Sequence, residues 1–175
     1  KPTRPDFAKQ LAELHARVKE TTSDKTTLDL GVLTADYGPA LWVPCASCNY
    51  SSRSSGVDTA VVHIMCGYYT STINWCRDNC ISASWHYAVR SSDGEVTQQV
   101  SESLKAWHAS CWNSRSVGVE HEGWYETAER ASIWFTEAMY ASSGQLFRHF
   151  CDTYGLAREH RVNNTAGGIA GHNDL

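Results

Sequence analysis

Apolar positions along the chain change their spacing several times, and each change predicts an element. Phe7, Leu11, Leu14 and Val18 return at helical spacing behind Asp6, a residue suited to an N-cap, so a helix is expected over residues 6–20. Residues 21–58 are rich in Ser, Thr, Gly, Pro and Asn, with one apolar patch at Ala40–Val43, and read as an arm laid over a domain. Thr59-Ala-Val-Val-His-Ile-Met65 is a continuous apolar run, as a central strand buried on both faces would be. Residues 70–80 predict a short helix around Ile73 and Trp75. Trp85–Val89 and Glu95–Val100 predict two strands joined by Ser91-Ser-Asp-Gly94, and the Asp-Gly pair signals a hairpin. Ser116–Glu122 alternates before Gly123 and predicts another strand.

Residues 128–154 carry Ile133, Phe135, Met139, Leu146, Phe147, Phe150 and Tyr154 at helical spacing up to Gly155, with a break expected near Ser142-Ser-Gly144. Gly168–His172 closes the chain as a short strand. The order β, α, ββ, β, α, β implies an α/β fold, one mixed sheet flanked by helices.

Composition narrows the classes of function. The chain has 175 residues, enough for one domain with a core. Its net charge of −4, without a run of Lys or Arg, argues against a nucleic-acid partner and an anionic membrane surface. No apolar stretch approaches the ~20 residues that span a bilayer, so membrane insertion is not expected. The polar opening Lys1-Pro2-Thr3-Arg4-Pro5 is no signal peptide and resembles the start of a processed, secreted chain. Seven cysteines favour an oxidising compartment, and an odd count leaves at least one thiol unpaired within the chain. Cys45-x-x-Cys48 followed by Cys76-x-x-x-Cys80 could bind a structural zinc or act in redox chemistry; local disulfides are the favoured reading, with open connectivity.

Among eight histidines, His15 and His149 fall in helical patterns and His160 in a polar turn, all expected to be structural. His63 differs, because an imidazole inside a hydrophobic strand needs a partner, and a metal would supply one. His172 follows a Gly-rich strand, beside Asn173 and Asp174. Glu120 interrupts the apolar Val117-Gly-Val run, where burial would raise its pKa toward that of a general base. A solvent-facing strand position, shared with Glu122, is the alternative.

Val61-Val-His-Ile-Met-Cys-Gly-Tyr-Tyr69, Trp85-His-Tyr-Ala-Val-Arg-Ser-Ser-Asp-Gly-Glu-Val-Thr-Gln98, Ala106-Trp-His-Ala109, Ser116-Val-Gly-Val-Glu-His-Glu-Gly123 and Gly171-His-Asn-Asp174 follow one another in that order. Together they resemble the zinc-dependent N-acetylmuramoyl-L-alanine amidases, a family that includes phage endolysins, bacterial wall amidases and animal peptidoglycan recognition proteins. The likeness spans residues 38–175 and leaves 1–37 as an N-terminal helix and arm. It implies zinc held by His63 and His172, Glu120 as the catalytic carboxylate, and a substrate of bacterial peptidoglycan or its muropeptides, met outside the cell or in the wall. It also implies a third zinc ligand shortly beyond the Gly-His motif, past Leu175; Asp174 and Cys66 are the substitutes within the chain. His108 is expected to face substrate or support the site, and Tyr68, Trp85 and Trp107 to line a groove. Tyr69, Trp112 and Trp124 could do the same, or pack in the core. A peptidoglycan-binding module without catalysis is the alternative function. Asn49-Tyr-Ser51 and Asn163-Asn-Thr165 fit the N-glycosylation pattern.

Overall fold

The computed structural model describes residues 34–175. The helix expected over residues 6–20, with His15, lies outside the described residues. In chain order the strands are β1 (Leu41–Trp42), β2 (Tyr50–Ser52), β3 (Thr59–Ile64), β4 (Tyr87–Val89), β5 (Val96–Gln98), β6 (Leu104–Ala106), β7 (Ser116–His121) and β8 (Gly168–Gly171). The helices are α1 (Tyr69–Asp78), α2 (Ala128–Trp134) and α3 (Glu137–Tyr154), and a 3-10 helix covers Ser110–Arg115.

Six strands form one mixed sheet in the order β1-β5-β4-β7-β3-β8, and β2 pairs with β6 in a separate two-stranded ribbon. The apolar run at β3 is explained by its place. It is parallel to β7 on one side and to β8 on the other, with Ala60 and Val61 fully buried. The β4–β5 hairpin forms around the four-residue turn Ser91–Gly94, pairing Tyr87 with Gln98 and Val89 with Val96. Gly94 adopts φ 74°, and a Cβ there would stand 2.4 Å from the carbonyl oxygen of Ala138, so the turn admits only glycine.

Helix α3 packs Met139, Leu146, Phe147 and Phe150 onto Tyr87, Val89, Val117 and Val119 of the sheet. Those helix positions form a single apolar stripe at i, i+7, i+8 and i+11. The break expected at Ser142-Ser-Gly144 is not there. It falls at Phe135–Thr136, because Thr136 caps α3 by accepting from the backbone N–H of Met139, just as Thr127 caps α2 through Arg130. Gly144 is accommodated inside α3 with open space around it. Gly155 ends α3 in the left-handed conformation.

Residues 34–58 are tied to the domain rather than laid loosely over it. β1 extends the sheet beside β5, and Asp36 accepts from Gln98 Nε2 and the backbone N–H of Glu102. Two disulfides, Cys45–Cys76 and Cys48–Cys80, join this segment to α1, while Cys66, Cys111 and Cys151 are free. The two bridges span 31 and 32 residues, and rings of that size stabilise by roughly 3–4 kcal/mol each in the chain-entropy account. The rings nearly coincide, so their effects overlap. Replacing Cys48 and Cys80 by Ser should lower stability by about 2–4 kcal/mol in urea unfolding; an unchanged midpoint would contradict this pairing. Asn49 is fully buried, with its side chain bonded to Cys76 O, Asn79 O and the N–H of Ile81, so the first glycosylation pattern is closed in the folded protein.

Candidate active site

Parallel sheets place ligand sites beyond the carboxyl ends of their strands, and here three candidate residues meet at that edge. His63 on β3 is the register partner of Glu120 on β7, so the two side chains leave the same face of the sheet. β8 pairs Gly171 with Val62, which brings His172, the next residue, level with His63. A row of histidine, histidine and carboxylate thus follows from strand register alone.

The side chains complete the row. His63 Nδ1 lies 3.1 Å from His172 Nδ1, and His63 Nε2 lies 2.9 Å from His108 Nδ1. Burial, together with the neighbouring His108 and His172 rings, lowers the pKa of His63 to about 2, so the ring is neutral near pH 7. His121 holds the strand in place, with Nδ1 donating to His63 O at 2.9 Å and Nε2 accepting from Ser143 Oγ at 2.8 Å. Burial pushes the Glu120 carboxyl up from 4.5 to about 7, and its Oε2 is enclosed without a hydrogen-bond partner among the described residues. The solvent-facing alternative for Glu120 does not hold. Glu122, its presumed companion, is fully buried and accepts from the backbone N–H groups of Tyr69 and Ser91.

The donor set fits a zinc ion in two respects. Two nitrogens each about 2.0–2.1 Å from a tetrahedral zinc stand roughly 3.3–3.4 Å apart, close to the observed His63–His172 spacing. Neutral imidazole is also the form that ligates. Among the described residues no group of three His, Cys, Asp or Glu side chains converges to hold a metal. The Asp174 carboxylate is engaged, accepting from His160 Nε2 and the Gly171 N–H at 2.8 Å each. Cys66 stands on the cavity wall as an exposed thiol.

A cleft of about 620 Å³ opens over this row. Trp85 and Trp107 line it, joined by Trp75 of α1 and by Tyr125, the latter two more than half exposed. Trp85 Nε1 is a buried donor with no partner among the described residues. Tyr68 instead packs edge-on against Trp124 and Trp134, with centroids 4.9 and 5.8 Å away. Tyr69 is a core residue, and Trp112 is buried beneath the guanidinium of Arg115. His149 and His160 bond to Glu102 and Asp174, in keeping with structural roles.

Comparison with known proteins places this geometry in context. The sequence model of a family described as N-acetylmuramoyl-L-alanine amidase matches residues 52–175. N-acetylmuramoyl-L-alanine amidase A of Achromobacter lyticus is 37% identical over 121 residues, which cover 69% of this chain and 66% of that protein, just under two thirds of its length. Among solved structures, Staphylococcus aureus hydrolase AmiA in complex with its ligand aligns with a TM-score of 0.61 at 14% identity, covering 98% of this chain and 75% of that one. The endolysin N-acetylmuramoyl-L-alanine amidase LysCS from Clostridium intestinale aligns with a TM-score of 0.57 at 16% identity, covering 78% and 82%. At such identities these structures attest the fold.

Proposed function

This chain belongs to the N-acetylmuramoyl-L-alanine amidase family, and from that premise we propose that it hydrolyses the amide between N-acetylmuramic acid and L-alanine in bacterial peptidoglycan. The observation that carries this reading is the row at the strand ends. The imidazoles of His63 and His172 face each other 3.1 Å apart, level with an enclosed carboxyl whose pKa is raised to about 7.

His63 and His172 would hold zinc through Nδ1, with a third donor supplied after Leu175. Zinc, when bound, supplies Lewis acidity that polarises an amide carbonyl and acidifies water. Glu120 takes the proton of the attacking water. The hydroxyl becomes part of the lactyl carboxyl group on the sugar, the carbon–nitrogen bond breaks, and Glu120 returns the proton to the departing alanine nitrogen. A carboxyl poised near neutrality can serve both transfers, which an ordinary carboxylate does poorly. Trp85 and Trp107, with Trp75 and Tyr125 on the rim, form apolar walls suited to sugar rings and peptide.

The two disulfides favour a protein that works outside the cytoplasm, where peptidoglycan lies. Among the described residues no helix is long and apolar enough to cross a membrane.

The test is zinc content and muropeptide turnover, measured on this chain and on the chain with the residues that follow Leu175. One zinc and cleavage in the longer form support the reading. Muropeptide binding without zinc or cleavage in either form would replace it with a recognition module.

With Glu120 as base, kcat/KM should rise with pH through the pKa of that carboxyl, which burial raises in the metal-free chain and a bound zinc would lower. Glu120→Asp, with its shorter reach, should keep a base and lower the rate. An acid limb of the pH profile that persists unchanged in Glu120→Gln would remove Glu120 from the role.

A further inference from the structure

We propose that His108 is a positioning residue that fixes the metal-binding tautomer of His63. The inference rests on the zinc site proposed above and extends it to a residue outside the ligand set.

The Ser116 hydroxyl has one proton to donate. Ser116 Oγ donates to the carbonyl oxygen of Trp112 at 2.8 Å. Its contact with His108 Nε2, at 3.2 Å, therefore has His108 as donor. A neutral imidazole with its proton on Nε2 has a bare Nδ1. That atom can only accept, and the group 2.9 Å away is His63 Nε2. His63 thus carries its proton on Nε2 and presents a bare Nδ1 toward His172. The direction of three successive hydrogen bonds is set by one backbone carbonyl, and the chain ends on the lone pair a metal would use. Such outer partners orient a ligand ring and fix its tautomer.

The fold makes a seat for this ring. A Cβ on Gly118 would stand 2.5 Å from His108 Nδ1, so β7 omits a side chain where His108 lies against it. Asn113 Oδ1 accepts from the backbone N–H groups of both His108 and Ala109, at 2.9 and 2.6 Å, and holds the segment. The glycine in Ser116-Val-Gly-Val-Glu120 and the histidine of Ala106-Trp-His-Ala109 therefore serve one contact.

Two measurements test this. Nitrogen-15 spectra of the metal-free chain report where each imidazole proton sits, and zinc titration reports affinity in the chain that includes the residues after Leu175. The wild type should show His63 protonated on Nε2. His108→Phe should mix the two tautomers of His63 and weaken zinc by about tenfold to a hundredfold. His108→Asn offers a carbonyl oxygen near the position of Nδ1, so it should restore the His63 tautomer and most of the affinity; this controls for a general loss of fold. Gly118→Ala, which displaces the ring, should move both readouts in the direction of His108→Phe. A His63 proton on Nδ1 in the wild type, or unchanged zinc affinity in His108→Phe, would overturn the assignment. Failure of the wild type to bind zinc overturns the metal site instead, and the metal-free spectra still decide the role of His108.

Discussion

Glu120→Gln is expected to retain zinc and lose activity by about 10²–10⁴-fold, the range that a positioned general base contributes. The substitution keeps size and shape, and it removes only the capacity to take a proton. The same variant has a second consequence in the metal-free protein. The folded-state pKa of Glu120 is raised from 4.5 to about 7, so the folded chain holds a proton that the unfolded chain releases across that window. Stability therefore falls as pH rises from about 4.5 to about 7, and the penalty remains at higher pH. At about 1.4 kcal/mol for each tenfold change in proton affinity, its upper bound is about 3 kcal/mol. Glu120→Gln should thus stabilise the metal-free chain at pH 8 by up to about 3 kcal/mol while leaving it unchanged at pH 4. Opposite signs in activity and stability are the mark of a functional residue held at a cost, and denaturant midpoints at the two pH values read it directly. An inert variant in both assays would leave Glu120 without a role.

His63→Ala should abolish zinc binding and with it the several kcal/mol of charge stabilisation that a Lewis acid supplies, a loss of about a thousandfold or more. Here the effect on folding must be separated from the effect on the metal. The truncated side chain leaves His108 Nδ1 and His172 Nδ1 without the partner each has now. His172→Ala is the useful companion, because His172 lies near the edge of the sheet and is exposed. Both variants should lose zinc, and only His63→Ala should also unfold at lower denaturant. Full zinc occupancy in either would exclude that residue as a ligand.

The sequence carried these assignments unevenly, for physical reasons. β3, β7 and α3 were legible because burial on two faces or along one stripe repeats over six or more residues. β1, β2 and β6 contain two or three residues each, too few for a period to show, and they exist through pairing with distant strands. The helix break was misplaced because Gly144 drew attention as a breaker. Two threonines that precede first-turn glutamates, Thr127 ahead of Glu129 and Thr136 ahead of Glu137, carried the real signal.

At the site, His63 and Glu120 were visible as polar residues in apolar strands and His172 as the residue that follows a Gly-rich strand, and register brings the three together. Ser116, Asn113 and Gly118, by contrast, act through contacts that spacing does not encode. Trp75 was read as a helix residue, and only the placement of α1 turns it to the cleft rim. The disulfide connectivity was equally beyond reach, since it depends on where α1 lies beside residues 45–48.

The most direct measurement is the chemistry of the new ends after purified peptidoglycan is digested by the chain carrying the residues beyond Leu175. The expected products are free amino-terminal L-alanine, one for each lactyl carboxyl exposed on N-acetylmuramic acid, with glycan strands left whole. New reducing sugar ends, or amino groups on any residue other than that alanine, would contradict it.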